Sequence, residues 1–306
     1  NGEIYNDLEI RKNNKSYKYT TNSDSESILA LYNKLGIEGL KKLRGMFAYA
    51  IYDKNFDQLI IGRDEFGIKP LYFSLINDGI IFCSEIKPII SMKLKKPHIN
   101  YFKTMELMQY QYCSGHGTIF DDIKRVEPGQ ILVIEKGRIS KSYKNNLLPR
   151  KKQMKKIDEN YINKCLLESV SSHLRSDVPY CLFFSGGIDS MLLLYYLRKL
   201  KKNVTAFSIF FDSNKVNDFK EITKEYNIEH VEEVFSEEDF WNSIFFAADK
   251  IDEPVADYAI LPTFKLASIA SKRFKVALTG EGGDELFGGY GRYKKTQRYF
   301  FKKMNP

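Results

Sequence analysis

The chain has 306 residues, 43% of them hydrophobic and 28% charged, the balance of a globular protein long enough for two domains. Its formal charge of +8 raises the question of nucleic acid, but the basic runs at 93–96, 150–156 and 198–202 are short and not interleaved with aromatics, and no DNA- or RNA-binding signature accompanies them. Four histidines and the widely spaced Cys83, Cys113, Cys165 and Cys181 show no zinc-ligand or disulfide spacing, which leaves a reducing cytoplasm as the expected compartment, and no apolar run nears the roughly 18 residues that span a membrane.

The chain opens at Asn1 without a methionine, inside what reads as a motif, and stops at Pro306 soon after another, so it reads as an internal piece of a longer protein. In the first half, short β-rich runs at 46–52, 58–62, 70–75, 79–84 and 130–135 predict an antiparallel meander. Turn chemistry separates them at Lys54-Asn55-Phe56-Asp57, Asn77-Asp78-Gly79 and Lys136-Gly137. One helix is predicted among them, with Ser23 and Glu26 at capping-box spacing, Ile28, Leu29, Tyr32 and Leu35 as its apolar face, and Gly36 as its stop.

After about residue 147 the rhythm changes. A polar, basic stretch at 148–157 reads as a linker. A helix carrying Cys165, Leu166, Val170 and Leu174 follows, and then strand and helix alternate from Cys181 to Thr279, which predicts βαβ units around a parallel sheet. The expected organisation is therefore an antiparallel α+β domain over 1–147 and a parallel α/β domain over 158–306.

The strand Cys181-Leu182-Phe183-Phe184 runs straight into Ser185-Gly186-Gly187-Ile188-Asp189-Ser190, and an apolar helix follows at once. A strand feeding a glycine turn and a helix N-terminus presents unpaired N–H groups and the positive end of the helix dipole to an anion. Asp189 would repel a phosphate unless a cation lay between them, which implies Mg2+ shared with phosphate oxygens. The spacing is neither a Walker A loop nor G-x-G-x-x-G, and taken alone it also fits an ordinary turn in which Asp189 or Ser190 caps the helix. A second loop, Thr279-Gly280-Glu281-Gly282-Gly283-Asp284-Glu285, follows the apolar strand Val276-Ala277-Leu278. Ligands of open parallel sheets sit beyond the carboxyl ends of the strands, so both loops would face one crevice.

These two motifs resemble those of glutamine-hydrolysing asparagine synthetases, and the similarity runs nearly end to end. It includes Asn1-Gly2-Glu3-Ile4-Tyr5-Asn6, Arg44-Gly45-Met46-Phe47-Ala48, Gly62-Arg63-Asp64, Gly67-Ile68-Lys69-Pro70-Leu71-Tyr72, Ser84-Glu85-Ile86-Lys87 and the stretch from Ser172 to Tyr180. The resemblance implies a type 2 glutamine amidotransferase domain of the N-terminal-nucleophile, αββα kind, joined to a synthetase domain of the PP-loop kind. It implies ATP and Mg2+, with glutamine, aspartate and ATP as small-molecule partners, and amidation of aspartate through a β-aspartyl-AMP intermediate using ammonia from glutamine. Homodimerisation is left open.

Carried over by position, Asn1 and Gly2 resemble the oxyanion donors, and Asn1, Glu3 and Asp24 the residues that hold glutamine. Asp24 also suits a helix first turn as an ordinary acid. Ser185, Gly186, Gly187, Asp189 and Ser190 would hold the phosphates, with Phe184, Ile209, Thr279 and Gly280 around adenosine. Each of Phe184 and Ile209 is equally a core strand residue. Glu281 matches the residue that forms and uses the adenylate, and Asp189 and Asp284 are the metal candidates. The family's nucleophilic cysteine is expected upstream of Asn1 and a catalytic lysine beyond Pro306, so this chain as it stands is not expected to hydrolyse glutamine. At 252–259 the sequence has a D-E-P pattern in place of a threonine-and-arginine stretch, which leaves an adenylating relative with another carboxylate acceptor, or a non-catalytic relative, as the alternatives.

Overall fold

The computed structural model describes residues 1–94, 96–145, 158–212, 219–255 and 257–291. The chain divides into two compact units, Asn1–Ile157 with Ala248–Tyr258, and Asp158–Ala247 with Ala259–Pro306. The expected linker at 148–157 lies outside the described residues.

The first unit contains a five-stranded antiparallel sheet in the order β1 (Gly2–Ile4), β2 (Gly45–Asp53), β3 (Gln58–Arg63), β7 (Gln130–Glu135), β8 (Arg138–Lys144). A second, three-stranded antiparallel sheet runs β5 (Gly79–Cys83), β4 (Tyr72–Ile76), β6 (Lys124–Arg125). Period-two alternation sends one set of side chains to each face. Ile60, Ile131 and Val133 pack with Ile10 of α1 (Asp7–Asn13), Leu31 of α2 (Glu26–Leu35), and Leu40 and Leu43. Their neighbours Ile61, Leu132 and Ile134 pack instead on Leu71, Phe73 and Val126 beside the smaller sheet. The outer face of that sheet is covered by Ile86 and Ile89 of α4 (Ile86–Ser91). The hairpin connectors behave as their residues require. Asp53 accepts the Asn55 N–H at 2.9 Å, and Lys136 and Gly137 both take positive φ (50° and 72°), the geometry of a two-residue turn between twisted strands.

Two details of α2 differ from the sequence reading. The capping box does not form, because the Glu26 carboxylate turns away to the Thr20 and Thr21 amides (2.8 Å each) and hydroxyls (3.1 and 2.7 Å). Leu29 and Leu35 are exposed, and the buried stripe is Ser27, Ala30 and Leu31, where small side chains let the helix close on the sheet. The short helices α1, α3 (Ile37–Leu40), α4 and α5 (Tyr101–Tyr110) are additional to the predicted elements.

The second unit begins with α6 (Glu159–His173), N-capped by Asp158, whose carboxylate accepts from the Asn160 and Tyr161 amides. Its sheet is parallel throughout, ordered β11 (Glu229–Val234), β10 (Thr205–Phe210), β9 (Tyr180–Phe183), β12 (Val276–Leu278). On one face Leu182, Phe184, Ala206 and Leu278 meet Leu194 and Leu197 of α7 (Ile188–Lys199). On the other, Cys181 and Phe207 meet Leu266 and Ala270 of α10 (Ile260–Ala270). The chain steps outward from β9 to β10 to β11 by way of α7 and α8 (Lys220–Glu225). It then passes through α9 (Glu237–Lys250) and α10 and returns on the far side of β9 as β12. The topology therefore reverses between β9 and β12. No helix among the described residues is long and apolar enough to cross a membrane.

Candidate functional site

In an open parallel sheet the loops that leave the strands at a reversal point diverge and open a crevice between them. The two loops there are 184–187, which leads from β9 into α7, and 279–282, which leads from β12 into α11 (Gly283–Phe287). They touch. A Cβ built on Gly280 would lie 2.8 Å from Asp189 Cβ and 3.1 Å from the Ser190 nitrogen, and one on Gly283 would collide with the Asp189 carboxylate. Glycines at 280 and 283 are thus what let the second loop close on the first turn of α7.

The first loop is tied internally. Ser190, 3% exposed, donates its hydroxyl to the Gly187 carbonyl at 3.1 Å and accepts the Ser185 amide at 3.3 Å. The Ser185 hydroxyl lies 3.2 Å from it and accepts the Gly187 N–H at 3.3 Å. Gly186 takes φ +70°, and the ring of Phe219 fills the space a side chain would need there. Gly187 caps α7 in extended conformation without a side-chain cap, so the first-turn amides remain available to an anion. Ser185, Gly186, Gly187, Asp189, Ser190, Gly280 and Gly283 are thereby brought together, with Thr279 and Glu281 exposed on the adjoining loop. This donor set suits a polyphosphate. Among the described residues no group of three or more His, Cys, Asp or Glu side chains is assembled for a metal. Asp189 stands at the α7 N-terminus, where it could share Mg2+ with phosphate oxygens. The Asp284 carboxylate lies against Gly289 of its own loop.

Phe184 is 2% exposed, and its ring belongs to the core around Leu182 and Leu194. Its N–H donates to the Phe207 carbonyl at 2.8 Å and its own carbonyl accepts the Ser208 hydroxyl, so its main chain is tied into the sheet as well. Ile209 is half-buried on the opposite face, between clusters formed with Leu266 and with Phe235 and Leu261.

In the first unit, a cavity of about 300 Å³ is lined by Asn1, Gly2, Ile4, Asp24, Ser25 and residues 47–51 of β2, together with Ile28 and Leu29. Asn1 pairs with Ala48 in the ladder (N–O 3.1 and 2.9 Å), and its side-chain amide donates to Ser84 Oγ at 3.2 Å. Gly2 takes φ +124°, and a Cβ there would run into the Met46 carbonyl and come within 2.8 Å of Phe47 Cα. One oxygen of Asp24 accepts the Ile4 N–H at 2.6 Å, which fixes β1 to the start of α2. Glu3 is exposed on β1 and is not among the residues that line the cavity. No cysteine lines it, and burial pushes the Cys113 thiol up and that of Cys181 to about 11, which keeps both protonated and poorly nucleophilic.

No individual role for Asp64, Arg63 or the 252–253 pair could be read from the sequence. Asp64 is fully buried and accepts four amides, those of Phe47, Phe66, Ile68 and Lys69, at 2.9–3.2 Å. The Arg63 guanidinium donates to the Gly67, Lys69 and Val126 carbonyls at 2.6–2.9 Å. Asp252 and Glu253 of the D-E-P stretch belong to the first unit. Asp252 caps α4 through the Ile86 amide at 2.9 Å, and both Glu253 oxygens accept from one Arg125 nitrogen, Nη2, at 2.7 and 2.9 Å. Both carboxylates are therefore committed to structure.

Residues 1–145 match the glutamine amidotransferase domain family, and residues 162–305 match the asparagine synthase family. The chain is 37% identical to asparagine synthetase [glutamine-hydrolyzing] 1 of Bacillus subtilis, across 96% of this chain and 48% of that protein. It is 34% identical to putative asparagine synthetase [glutamine-hydrolyzing] 2 of Methanocaldococcus jannaschii, across 100% of this chain and 61% of that one. With asparagine synthetase B [glutamine-hydrolyzing] of Escherichia coli it shares 29% identity over 97% of this chain and 52% of that protein. The chain thus spans about half the length of the curated relatives it matches.

Proposed function

The chain belongs to the glutamine-hydrolysing asparagine synthetase family, and we propose from this premise that it carries the ammonia-generating cavity and the ATP-cleaving crevice of an enzyme that amidates aspartate. The observation that carries the reading is the meeting of two glycine-and-carboxylate loops at the reversal point between β9 and β12, with Asp189 held against Gly280 and Gly283. We infer the N-terminal-nucleophile and PP-loop fold classes for the two units on the same grounds.

In this account ATP is a substrate. The first-turn amides of α7 and the hydroxyl of Ser185 hold its β- and γ-phosphates, Ser190 ties the turn through the Gly187 carbonyl, and the helix dipole favours the negative charge that builds as pyrophosphate leaves. Asp189 would hold Mg2+, which would supply positive charge to offset part of that build-up. A carboxylate oxygen of aspartate attacks the α-phosphorus, and ammonia then attacks the acyl carbon and expels AMP. Glu281, on the exposed loop beside Gly280, takes a proton from the attacking nitrogen. Thr279 and Gly280 supply the neighbouring main chain for adenosine, with Phe184 as the fixed strand end that leads into the turn and Ile209 a backing side chain. Asp284 serves the metal region only from the loop behind Asp189.

In the first unit, the Asn1 amide and the Gly2 N–H stabilise the oxyanion that forms at glutamine, and the Asp24 carboxylate attracts its ammonium group. The sulfur nucleophile is not supplied by any of Cys83, Cys113, Cys165 or Cys181.

Incubation of the full-length protein with ATP, Mg2+, aspartate and either glutamine or ammonium tests the reading. Asparagine, AMP and pyrophosphate in equal amounts are expected. Pyrophosphate that does not depend on aspartate, or no asparagine from either nitrogen source, would refute it.

A further inference from the structure

Directly behind the phosphate-facing turn lies a buried polar pair that the chemistry above does not use. Ser208, on β10, is 2% exposed, and its hydroxyl donates to the main-chain carbonyl of Phe184, the residue just before Ser185. A serine hydroxyl has one proton and a carbonyl can only accept, so that proton is committed. His230 Nε2, on β11, stands 2.7 Å from the same hydroxyl oxygen. Nε2 must then be the donor, which fixes the ring's tautomer. Any further proton would enter at Nδ1, 3.5 Å from Glu232.

The ring is also packed against the loop's support. Phe219 stands 6.2 Å from His230 and 5.0 Å, edge-on, from Phe184, and Phe184 stands 6.1 Å from His230. Phe219 is the same ring that occupies the space over Gly186. The turn is therefore held at two points, the Phe184 carbonyl and the Gly186 backbone, and both supports rest on His230.

We propose that His230 is a positioning residue for the pyrophosphate-binding turn, acting on the Phe184 carbonyl through Ser208 and on Gly186 through Phe219. It aims the Ser185–Ser190 donors without touching the nucleotide. The inference rests on the proposed use of this crevice for ATP, and displacing such donors by a fraction of an ångström is what makes the effect large.

The test compares His230→Gln, whose side-chain N–H lies near the place of Nε2, with His230→Leu, which fills the site without a donor. Both are made in the full-length protein and read in two ways: equilibrium titration with ATP and Mg2+, and aspartate-dependent pyrophosphate release. His230→Leu is expected to lower kcat/KM for ATP by about tenfold to a hundredfold and to weaken the titration. His230→Gln should restore most of both, and glutamine hydrolysis should hold steady in each. Should His230→Leu fail to fold, Ser208→Ala carries the same expectation. Equal behaviour of the Gln and Leu variants, or a loss shared equally with glutamine hydrolysis, overturns the proposal. A wild-type protein that binds ATP but releases no aspartate-dependent pyrophosphate overturns the adenylation reading instead, and the titration still decides the role of His230.

Discussion

At Gly280 the obstacle to a side chain is Asp189 Cβ at 2.8 Å and the Ser190 nitrogen at 3.1 Å, the opening turn of a helix and not the tip of a flexible side chain. Gly280→Ala is therefore expected to push the two loops apart and to lower aspartate-dependent pyrophosphate release by about a hundredfold. Gly79→Ala, where nothing lies within 4 Å, provides the control and should leave both activity and stability within about 0.5 kcal/mol of the parent. Asp64 makes a different kind of residue-scale claim. Its two oxygens accept four amides in full burial, so Asp64→Asn would turn an NH2 group toward amide donors. A loss of about 3 kcal/mol or more is expected in urea unfolding, since hydrogen bonds to a buried charge are each worth about 1.5–3 kcal/mol.

Among the elements, α2 depends on an acid that the sequence placed correctly and paired wrongly. The Thr20 amide first, and then the Thr21 hydroxyl, hold the Glu26 carboxyl at about 2, below its ordinary 4.5. The unfolded chain takes up this proton near pH 4.5, whereas the folded chain resists until about 2. Glu26 therefore stabilises the fold fully above pH 4.5, and the contribution disappears as pH falls from there to 2. Urea midpoints measured across that interval should drop more steeply for the parent than for Glu26→Gln, and parallel slopes would remove Glu26 from the account. The same helix shows why part of the fold was legible and part was not. The strand β10 is legible from its largely apolar run Ala206, Phe207, Ile209 and Phe210, and Gly36 ends α2 at φ +60° as its residue type suggests. Glu26 at capping-box spacing is chemically compatible with two partners, and only the fold brings Thr20 and Thr21 nearer than Ser23. Helices α4 and α5 bury too few side chains to leave a periodic signal; α5 buries none. In the site, the Ser185–Ser190 turn and the Gly280 loop could be located from strand-turn-helix order, while their use as a ligand site came only from the pair together with the family resemblance. The Ser208–His230 pair could not, because its members lie 22 residues apart on adjacent parallel strands and meet only through their register.

For the whole molecule, the two units are assigned different chemistries in the proposed function. One has a cavity beside Asn1, Gly2 and Asp24, and the other a crevice where the strand order reverses. A separable effect follows. Gly2→Ala, with φ +124° and the Met46 carbonyl in the way, should abolish glutamine-dependent synthesis yet leave ammonium-dependent synthesis within about twofold, because only the oxyanion side of the first unit is disturbed. Gly280→Ala should depress both. The central claim is that aspartate is activated on the α-phosphorus in the crevice between β9 and β12, and carboxyl-18O aspartate tests it most directly. If aspartate oxygen attacks the α-phosphorus and ammonia then expels AMP, one labelled oxygen must appear in each AMP, with unlabelled pyrophosphate. Label in orthophosphate, with ADP as the nucleotide product, would contradict the account.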